Sequence, residues 1–338
     1  MNIAILDDYQ DTIRTLRCFE KVAGHRVRVF TDHTKDVDAL AERLEGVEAL
    51  ALIRERTPIR APLLERLDAL RLISQVSVYP HIDVEACTRR GVIVSSSMMP
   101  GRPSYATAEL TWGLVIAAMR RIPQEMAALR AGRWQAYPIG AGLRGKTLGI
   151  YGYGKIGGVV AGYGRAFGMD VLVWGRDTTL ERARADGFAA APSREALFER
   201  SDVLSLHLRL VPETRGLVTA ADLRRMKPTA LLVNTSRAGL VAPGALAAAL
   251  AAGRPGMAAM DVYEEEPVLG GAHPLLALDT VVAVPHLGYV ERDGLEFMFG
   301  TIFDQIVAYG QGAPINVVNP DALERGRARA AAGGRAAP

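Results

Sequence analysis

The chain has 338 residues, of which 49% are hydrophobic and 23% charged, and its formal net charge at pH 7 is only +3. This is the composition of an ordinary globular protein, and the length allows two domains with separate cores. The small net charge excludes a strongly basic surface for nucleic acid, and two cysteines, Cys18 and Cys87, exclude a disulfide framework. We find neither a signal peptide nor an apolar segment long enough to span a membrane, so we expect a cytoplasmic protein.

The first hundred residues alternate between short apolar runs and helical patterns such as Asp36–Leu44 and Ile59–Leu67. The apolar runs predict five strands, at Asn2–Leu6, Arg26–Phe30, Ala49–Ile53, Leu72–Val76 and Val92–Ser95. Strands that alternate with helices indicate a doubly wound parallel sheet, in which ligands bind beyond the carboxyl ends of the strands. Asp7, Arg54 and the loop from Ser77 to His81 are therefore the candidate ligand residues of this sheet.

A turn-rich segment, Met98–Pro103, predicts a crossover into a second domain. A long amphipathic helix is predicted from Tyr105 to about Arg121. A polar and aromatic stretch, Gln124–Gly145, then leads into the next strand pattern.

That strand pattern, Thr147–Tyr151, runs directly into the turn Gly152-Tyr153-Gly154-Lys155-Ile156-Gly157, which opens a helix and is followed by another strand pattern. A G-x-G-x-x-G turn between a strand and a helix is typical of a dinucleotide site. Gly152 allows the tight turn, Gly154 lets the backbone approach a pyrophosphate, and Gly157 lets helix and strand pack closely. The helix N-terminus then presents free N–H groups to the phosphates.

The residues after the second strand of this unit, Val171–Trp174, bear on the choice between NAD and NADP. NAD sites usually carry Asp or Glu about 20 residues past the turn, to bind the ribose 2′-OH. Here Gly175 occupies that place and Arg176 follows it, which suits the 2′-phosphate of NADP because Arg can bind phosphate bidentately. Asp177 could still turn back to the ribose, so the pattern favours NADP and leaves NAD open.

Four further strand patterns, at Val203–Leu206, Ala230–Asn234, Met257–Asp261 and Val281–Val284, complete a second parallel sheet of six or seven strands. A helical pattern, Gly294–Tyr309, is expected to return to the first domain, and the Ala-, Gly- and Arg-rich end predicts disorder. We therefore predict a substrate domain (residues 1–99 and 289–320), a dinucleotide-binding domain (residues 100–288) and a disordered tail (residues 321–338).

Three polar residues follow strands of the second sheet, namely Arg237, Glu266 and His286. Strand-end residues of a parallel sheet lie at the same edge as the dinucleotide. Hydride chemistry on a hydroxy acid needs a cation for the carboxylate, an acid/base for the hydroxyl proton, and a carboxylate that orients the acid/base and raises its pKa. Arg, His and Glu are residue types for these roles, although His286 taken alone could equally be a capping or core histidine.

From about Ile3 to Val317 the chain resembles the D-isomer-specific 2-hydroxyacid dehydrogenase family. The resemblance rests on the glycine turn and on the motifs Leu206-His207, Pro212-Glu213-Thr214-Arg215-Gly216, Met226-Lys227-Pro228, Asn234-Thr235-Ser236-Arg237, Asp261-Val262 through Glu266-Pro267, and Pro285-His286. It implies a Rossmann domain inserted into a flavodoxin-like substrate domain, and NAD(P)-dependent interconversion of 2-oxo and 2-hydroxy acids. It also implies a homodimer that forms through the long helix after Tyr105.

The resemblance further implies roles for individual residues. Arg237 would bind the substrate carboxylate and carbonyl, His286 would exchange the hydroxyl proton, and Glu266 would hydrogen-bond His286. Asp261 would contact the nicotinamide carboxamide. Further cofactor contacts are expected at Gly152, Gly154, Lys155, Ile156, Gly157, Arg176, His207, Thr214 and Thr235. Substrate contacts are expected at Arg54, Ser77, Val78, Tyr79 and Tyr289.

Two features depart from the family pattern. Many relatives have a G-x-G-x-D-N-I-D substrate loop whose N–H groups bind the carboxylate, whereas this chain has Val76-Ser77-Val78-Tyr79-Pro80-His81-Ile82-Asp83. The glycines are absent and Pro80 has no N–H, so side chains of this loop, such as Ser77, Tyr79 or His81, could replace the backbone donors, or the substrate could differ. Tyr289 stands where many relatives carry Ser or Ala, and would crowd the pocket or reach the substrate.

Alternatives stay open for the function and for single residues. Dehydrogenases of formate or phosphite share this fold, although formate-type sites are expected to carry Gln in place of Glu266. A non-catalytic, dinucleotide-sensing scaffold is a different class, and intact Arg237, Glu266 and His286 disfavour it. Arg54 could form a surface salt bridge, and His207 could be structural. The other histidines lack metal-ligand spacing, so no metal is predicted.

Overall fold

The computed structural model describes residues 1–98 and 105–325. The chain divides into two compact units, the first formed by Met1–Arg102 with Glu291–Pro338 and the second by Pro103–Val290. The second unit is therefore inserted between two segments of the first. Of the predicted crossover at Met98–Pro103, all but Met98 lies outside the described residues.

Twelve strands in the described ranges form two sheets, and every neighbouring pair of strands is parallel. The first sheet consists of β1 (Asn2–Ile5), β2 (Arg26–Val29), β3 (Ala49–Ala51), β4 (Leu72–Val76) and β5 (Ile93–Ser97). Its order is β2-β1-β3-β4-β5, which is the flavodoxin-like order.

The second sheet consists of β6 (Thr147–Tyr151), β7 (Asp170–Trp174), β8 (Ala189–Ala190), β9 (Val203–Leu206), β10 (Leu231–Asn234), β11 (Met257–Met260) and β12 (Val281–Ala283). Its order is β12-β11-β10-β9-β6-β7-β8. This is the Rossmann order, in which the first strand of the unit lies in the middle, with one additional strand at the edge. The prediction of two doubly wound parallel sheets, with a Rossmann unit inserted into a flavodoxin-like one, is confirmed.

The described ranges include the α-helices α1 (Val37–Arg43), α2 (Ala61–Leu64), α3 (Val84–Arg89), α4 (Tyr105–Met119), α5 (Ile122–Arg130), α6 (Lys155–Ala166), α7 (Asp177–Ala185), α8 (Arg194–Arg200), α9 (Ala220–Arg225), α10 (Ala245–Ala251) and α11 (Arg292–Gly310). Local side chains define where several of them begin. Asp36 accepts hydrogen bonds from the first free N–H groups of α1, and Ser193 does the same for α8. These caps satisfy donors that a helix leaves unpaired at its start.

One long helix packs on the sheet in each unit. In the first unit α11 lies against β4, where Phe299 and Phe303 are fully buried and Phe303 makes an edge contact with Phe19. In the second unit α4 lies against α6, β10 and β11, and its side chains Trp112 and Val115 are buried. Apolar burial of this kind is the main stabilising contribution to each unit.

The structure corrects two parts of the chain. The sequence predicts no helix in the polar and aromatic stretch Gln124–Gly145, but the beginning of this stretch belongs to α5. Pro123 lies in the first turn of α5, where a helix needs no N–H. The start of the segment predicted as a disordered tail, residues 321–325, is helical, because Ala322 is fully buried there. Residues 326–338 lie outside the described residues.

Candidate active site

The glycine turn after β6 has the geometry that a bound pyrophosphate requires. Gly152 has a left-handed backbone (φ 96°), and a Cβ at this residue would lie 2.7 Å from the carbonyl oxygen of His207. A Cβ at Gly157 would collide with the carbonyl oxygen of Gly152. Gly154 caps α6 and has open space beside it. Lys155 and Ile156 form the first turn of α6, so the sequence-predicted cofactor residues of this turn lie together.

Tyr153, within the same turn, is a residue that sequence reasoning overlooked. Its side chain is buried, its hydroxyl donates to Asp186 Oδ2 at 2.6 Å, and its carbonyl oxygen accepts from Arg182 Nη2 at 2.6 Å. Burial and the nearby Asp186 carboxylate both raise the pKa of Tyr153, so the hydroxyl stays a donor. Tyr153 thus connects the turn to α7 through its backbone carbonyl and to Asp186, the residue after α7, through its side chain.

The residues that bear on the coenzyme's ribose lie at the end of β7. A Cβ at Gly175 would be 4.0 Å from Cα of Gly152, which places residue 175 beside the phosphate turn. Arg176 caps α7 and Asp177 is the first residue of that helix, and both side chains are exposed. The site therefore presents an accessible guanidinium and a carboxylate, with no side chain at the position where NAD sites carry an acid.

His207 follows β9 and lies next to the turn. Its Nε2 is 2.9 Å from Ser205 Oγ, and no described residue hydrogen-bonds its buried Nδ1. Burial lowers the pKa of His207 to about 4 because it disfavours the charged imidazolium, so this ring is neutral at physiological pH.

Two predicted cofactor residues use their hydroxyl groups within the fold. Thr214 Oγ1 donates to the carbonyl oxygen of Arg209 at 2.6 Å, and Thr235 Oγ1 is 2.7 Å from Thr111 Oγ1 of α4. Thr235 is buried. Neither side chain is brought to the glycine turn by these contacts, so their predicted cofactor contacts stay predictions.

The three predicted catalytic residues follow neighbouring strands. β10, β11 and β12 are adjacent in the sheet, and their carboxyl ends lead to Arg237, Glu266 and His286 respectively. His286 Nδ1 and Glu266 Oε2 are 2.6 Å apart, and both side chains are partly exposed. The other oxygen of Glu266 accepts from the N–H of Tyr263 at 2.9 Å, which fixes the carboxylate for its histidine partner.

Asp261, the residue after β11, holds the backbone around His286. It is fully buried, and its two oxygens accept from the N–H groups of Leu287 at 2.6 Å and Gly288 at 2.9 Å. Burial raises the pKa of this carboxyl, while the two N–H donors oppose that shift. His286 has a left-handed backbone (φ 54°), and the two N–H groups that Asp261 accepts from belong to the residues that follow it. Asp261 therefore anchors the loop that carries His286. Sequence reasoning assigned Asp261 only a cofactor contact.

The predicted substrate residues fall in both units. In the second, the ring of Tyr289 makes an edge contact with the His286 ring, with centroids 5.7 Å apart. In the first, Arg54 and Ser77 follow β3 and β4 and have left-handed backbones, with φ of 56° and 76°. Val78 is exposed, Tyr79 is half-buried, and His81 is 5% exposed.

The glycine-poor loop after β4 therefore adopts a glycine-like conformation. Ser77 takes a φ that a glycine would favour, although it carries a Cβ. No described residue hydrogen-bonds either ring nitrogen of His81, and burial lowers the pKa of His81 to about 4. The substrate contacts expected of Ser77, Val78 and Tyr79 stay predictions.

The described ranges show neither a metal site nor a membrane-spanning helix. Residues 1–98 and 105–325 contain no group of three or more His, Cys, Asp or Glu that could hold a metal ion. Within the same ranges, the helices are all too short or too polar to traverse a lipid bilayer.

Comparisons with known proteins agree with this geometry. Residues 112–288 match the model of the D-isomer specific 2-hydroxyacid dehydrogenase, NAD binding domain. A glyoxylate reductase from Aeropyrum pernix is 40% identical over 298 residues, which are 85% of this chain and 87% of that protein. A D-3-phosphoglycerate dehydrogenase from Methanocaldococcus jannaschii is 36% identical over 92% of this chain and 58% of its own. A solved structure from Ralstonia solanacearum, provisionally named D-3-phosphoglycerate dehydrogenase oxidoreductase, has a TM-score of 0.91 and 55% identity, covering 95% of this chain and 98% of its own.

Proposed function

The chain belongs to the D-isomer specific 2-hydroxyacid dehydrogenase family, and on that premise we propose that it reduces small 2-oxoacids to D-2-hydroxyacids with NADPH. It is an NAD(P)-dependent oxidoreductase that acts on CH–OH donors. The observation that carries our proposal is the 2.6 Å pair of His286 and Glu266, which follow strands of the same parallel sheet whose β6 carries the glycine turn.

The turn residues fit a dinucleotide because a Cβ at Gly152 or Gly157 would meet backbone, while Gly154 leaves open space for phosphate oxygens. The N–H groups at the start of α6 would bind the pyrophosphate. When bound, the nicotinamide supplies the hydride that is transferred to C2 of the 2-oxoacid.

His286 is the proposed acid/base. Its Nδ1 is engaged by the Glu266 carboxylate, which leaves Nε2 to donate a proton to the substrate's carbonyl oxygen during reduction. Glu266 orients the ring because its carboxylate accepts a hydrogen bond from Nδ1. We further propose that Arg237 binds the substrate carboxylate. In the first unit, Arg54 and the loop from Ser77 to Tyr79 are proposed substrate residues.

The preference for NADPH is supported by the end of β7. Gly175 offers no carboxylate to the ribose 2′-OH, and the exposed guanidinium of Arg176 suits a 2′-phosphate. Asp177, the first residue of α7, could accept a hydrogen bond from the ribose 2′-OH of NADH. We therefore expect NADH to be used as well, with lower kcat/KM.

We also propose that the protein is a homodimer. Ile122, Met126 and Leu129 recur along one face of α5 and are 41%, 48% and 58% exposed. An exposed apolar stripe of this kind suits burial against a second copy. The family resemblance pointed to α4, but Trp112 and Val115 of α4 are already buried in their own unit. Light scattering should find a dimer that Met126→Glu weakens, and a monomeric wild type would contradict the proposal.

The experiment that tests the function is an initial-rate assay of glyoxylate, hydroxypyruvate, pyruvate and phenylpyruvate with NADPH and with NADH. We expect turnover of at least one acid, with higher kcat/KM for NADPH. We expect His286→Ala to lower kcat by about 10²- to 10⁴-fold, the usual contribution of a positioned acid/base.

A matched control comes from a second histidine–carboxylate pair in the same unit. His273 Nε2 and Glu264 Oε2 are 2.9 Å apart, so His273→Ala removes a comparable pair that we assign no role in the reaction. This variant should retain wild-type kcat. A protein that binds NADPH but turns over none of the acids would contradict the proposed reduction of these acids and favour either a different substrate or a dinucleotide-sensing scaffold.

A further inference from the structure

Gln75, the residue before the end of β4, sends its side-chain amide forward into the loop that follows. The side chain is fully buried, and Nε2 lies within hydrogen-bonding distance of the carbonyl oxygens of Ser77 (3.0 Å) and Val78 (3.4 Å). It also donates to Ser96 Oγ at 2.8 Å, and this hydroxyl in turn donates to the Ser77 carbonyl oxygen at 2.7 Å. The Ser77 carbonyl is therefore held toward the interior of the first unit by two donors.

Holding the carbonyl inward turns the next N–H outward. The C=O and N–H of a trans peptide point in opposite directions, because the peptide group is planar. The peptide that carries the Ser77 carbonyl carries the N–H of Val78, and the next peptide joins the Val78 carbonyl to the N–H of Tyr79. Among the described residues, neither N–H has a hydrogen-bond acceptor. Two successive outward N–H groups at a strand end form an anion-binding concavity.

The backbone needs this support because residue 77 is not glycine. Ser77 has φ 76°, a conformation that side chains with a Cβ rarely adopt without help from their surroundings. The hydroxyl of Ser96 and the amide of Gln75 supply that help from two adjacent strands, β5 and β4.

We propose that Gln75 is a positioning residue for the substrate. It holds the turn at Ser77 in the left-handed conformation and thereby presents the N–H groups of Val78 and Tyr79 to the substrate carboxylate. This inference rests on the proposed reduction of 2-oxoacids.

The test is Gln75→Met, which keeps the volume of the side chain and removes the amide. We expect the KM for the 2-oxoacid that the wild type turns over best to rise by about tenfold, since the carboxylate loses charge-assisted donors in the ground state and the transition state alike. For the same reason kcat should stay within about threefold of wild type. NADPH affinity, measured by quenching of protein fluorescence, should be unchanged.

Rescue separates positioning from general damage. Adding Ser77→Gly to Gln75→Met should return KM to within about threefold of wild type, because glycine takes φ 76° without support. Gln305→Met is the matched control. Gln305 is an equally buried glutamine whose amide donates to the backbone oxygens of Gln75 at 3.1 Å and Thr301 at 3.3 Å, and within the described residues it forms no hydrogen bond to Ser77 or Val78. It should lower thermal stability and leave KM alone.

Each result decides the question. An unchanged KM in Gln75→Met, or a raised KM that Ser77→Gly does not restore, overturns the role of Gln75 while the wild-type activity stands. If Gln75→Met fails to fold, Ser96→Ala takes its place, and it should raise KM by about threefold with the same rescue. A wild type that turns over no 2-oxoacid overturns the proposed function, and this role with it.

Discussion

At the carboxyl edge of the second sheet, Gly152 takes φ 96° and a Cβ there would lie 2.7 Å from a backbone oxygen. At the corresponding edge of the first sheet, Ser77 takes φ 76° while carrying a Cβ. The first geometry is available to glycine by itself, whereas the second is maintained by Gln75 and Ser96. Similar backbone shapes can thus be produced by one residue's freedom or by several residues' contacts, and only the former leaves a motif in the sequence.

The largest expected effect comes from removing the glycine that has no substitute. Gly152→Ala adds a Cβ against the His207 carbonyl oxygen at a positive φ, so we expect NADPH affinity to fall by about 100-fold or more. Gly162→Ala is the control, because nothing lies within 4 Å of a Cβ at this position of α6. Isothermal titration calorimetry with NADPH measures the affinity of both variants. Similar affinities for the two would mean that the backbone of Gly152 does not require glycine.

The second prediction concerns His81, the buried histidine at the end of the loop from Ser77 to His81. Burial lowers the pKa of His81 to about 4, whereas the unfolded chain protonates it near 6.5. Between these values the unfolded state binds more protons, so stability falls as pH falls. We expect up to about 3 kcal/mol of unfolding free energy to be lost from pH 6.5 to pH 4 through His81.

Denaturant unfolding at a series of pH values, compared between wild type and His81→Gln, measures this contribution. The variant should show a shallower loss of stability on acidification. Parallel pH profiles for the two proteins would mean that His81 is protonated in the folded state as readily as in the unfolded one.

The third prediction concerns the carboxyl edge of the second sheet at the coenzyme's ribose. It tests whether residue 175 alone sets the preference between NADPH and NADH. Gly175→Asp introduces the missing carboxylate, and its Cβ would lie 3.3 Å from the Thr179 methyl, which must move by a few tenths of an ångström. We expect the ratio of kcat/KM for NADPH over NADH to fall by about tenfold, because the carboxylate repels a 2′-phosphate and accepts from a 2′-OH. Steady-state kinetics with both coenzymes measure the ratio, and Gly175→Asn, which adds a side chain of the same size without the charge, is the control.

The smallest effect is expected at the first edge. Ser77→Gly alone should leave KM within about twofold of wild type, since glycine adopts the same φ and Gln75 still holds the carbonyl. Its relief of backbone strain and its greater unfolded-state entropy oppose each other, so stability should change by less than about 1 kcal/mol. A large rise in KM would mean that the Ser77 side chain itself contacts the substrate.

Much of the fold was predictable from local patterns. Buried parallel strands appear as short apolar runs, and the predicted strands match the observed ones to within one or two residues at most ends, as at β6 and β9. Helix α5 was missed because Ile122, Met126 and Leu129 are exposed and the segment around them is polar. The helix therefore lacks the wide apolar face that marks a helix packed against a core.

The candidate site divides in the same way. Arg237, Glu266 and His286 follow strands whose order could be anticipated, so their approach at one edge could be predicted. The anchoring of Tyr153 by Asp186 and Arg182 could not, because those partners lie about 30 residues away and nothing at the turn marks them. The roles proposed for Arg54, Thr214 and Thr235 stay predictions.

By itself, the sequence determined the parallel strands and the dinucleotide turn, because these depend on patterns within single strand–turn–helix units, and it placed the predicted catalytic residues Arg237, Glu266 and His286 after strands. Only the tertiary structure decided the backbone of the Ser77 loop and the anchoring of the His286 loop by Asp261. These depend on hydrogen bonds between strands that are distant in sequence, and a backbone angle held by such contacts has no local signature in the residue that adopts it.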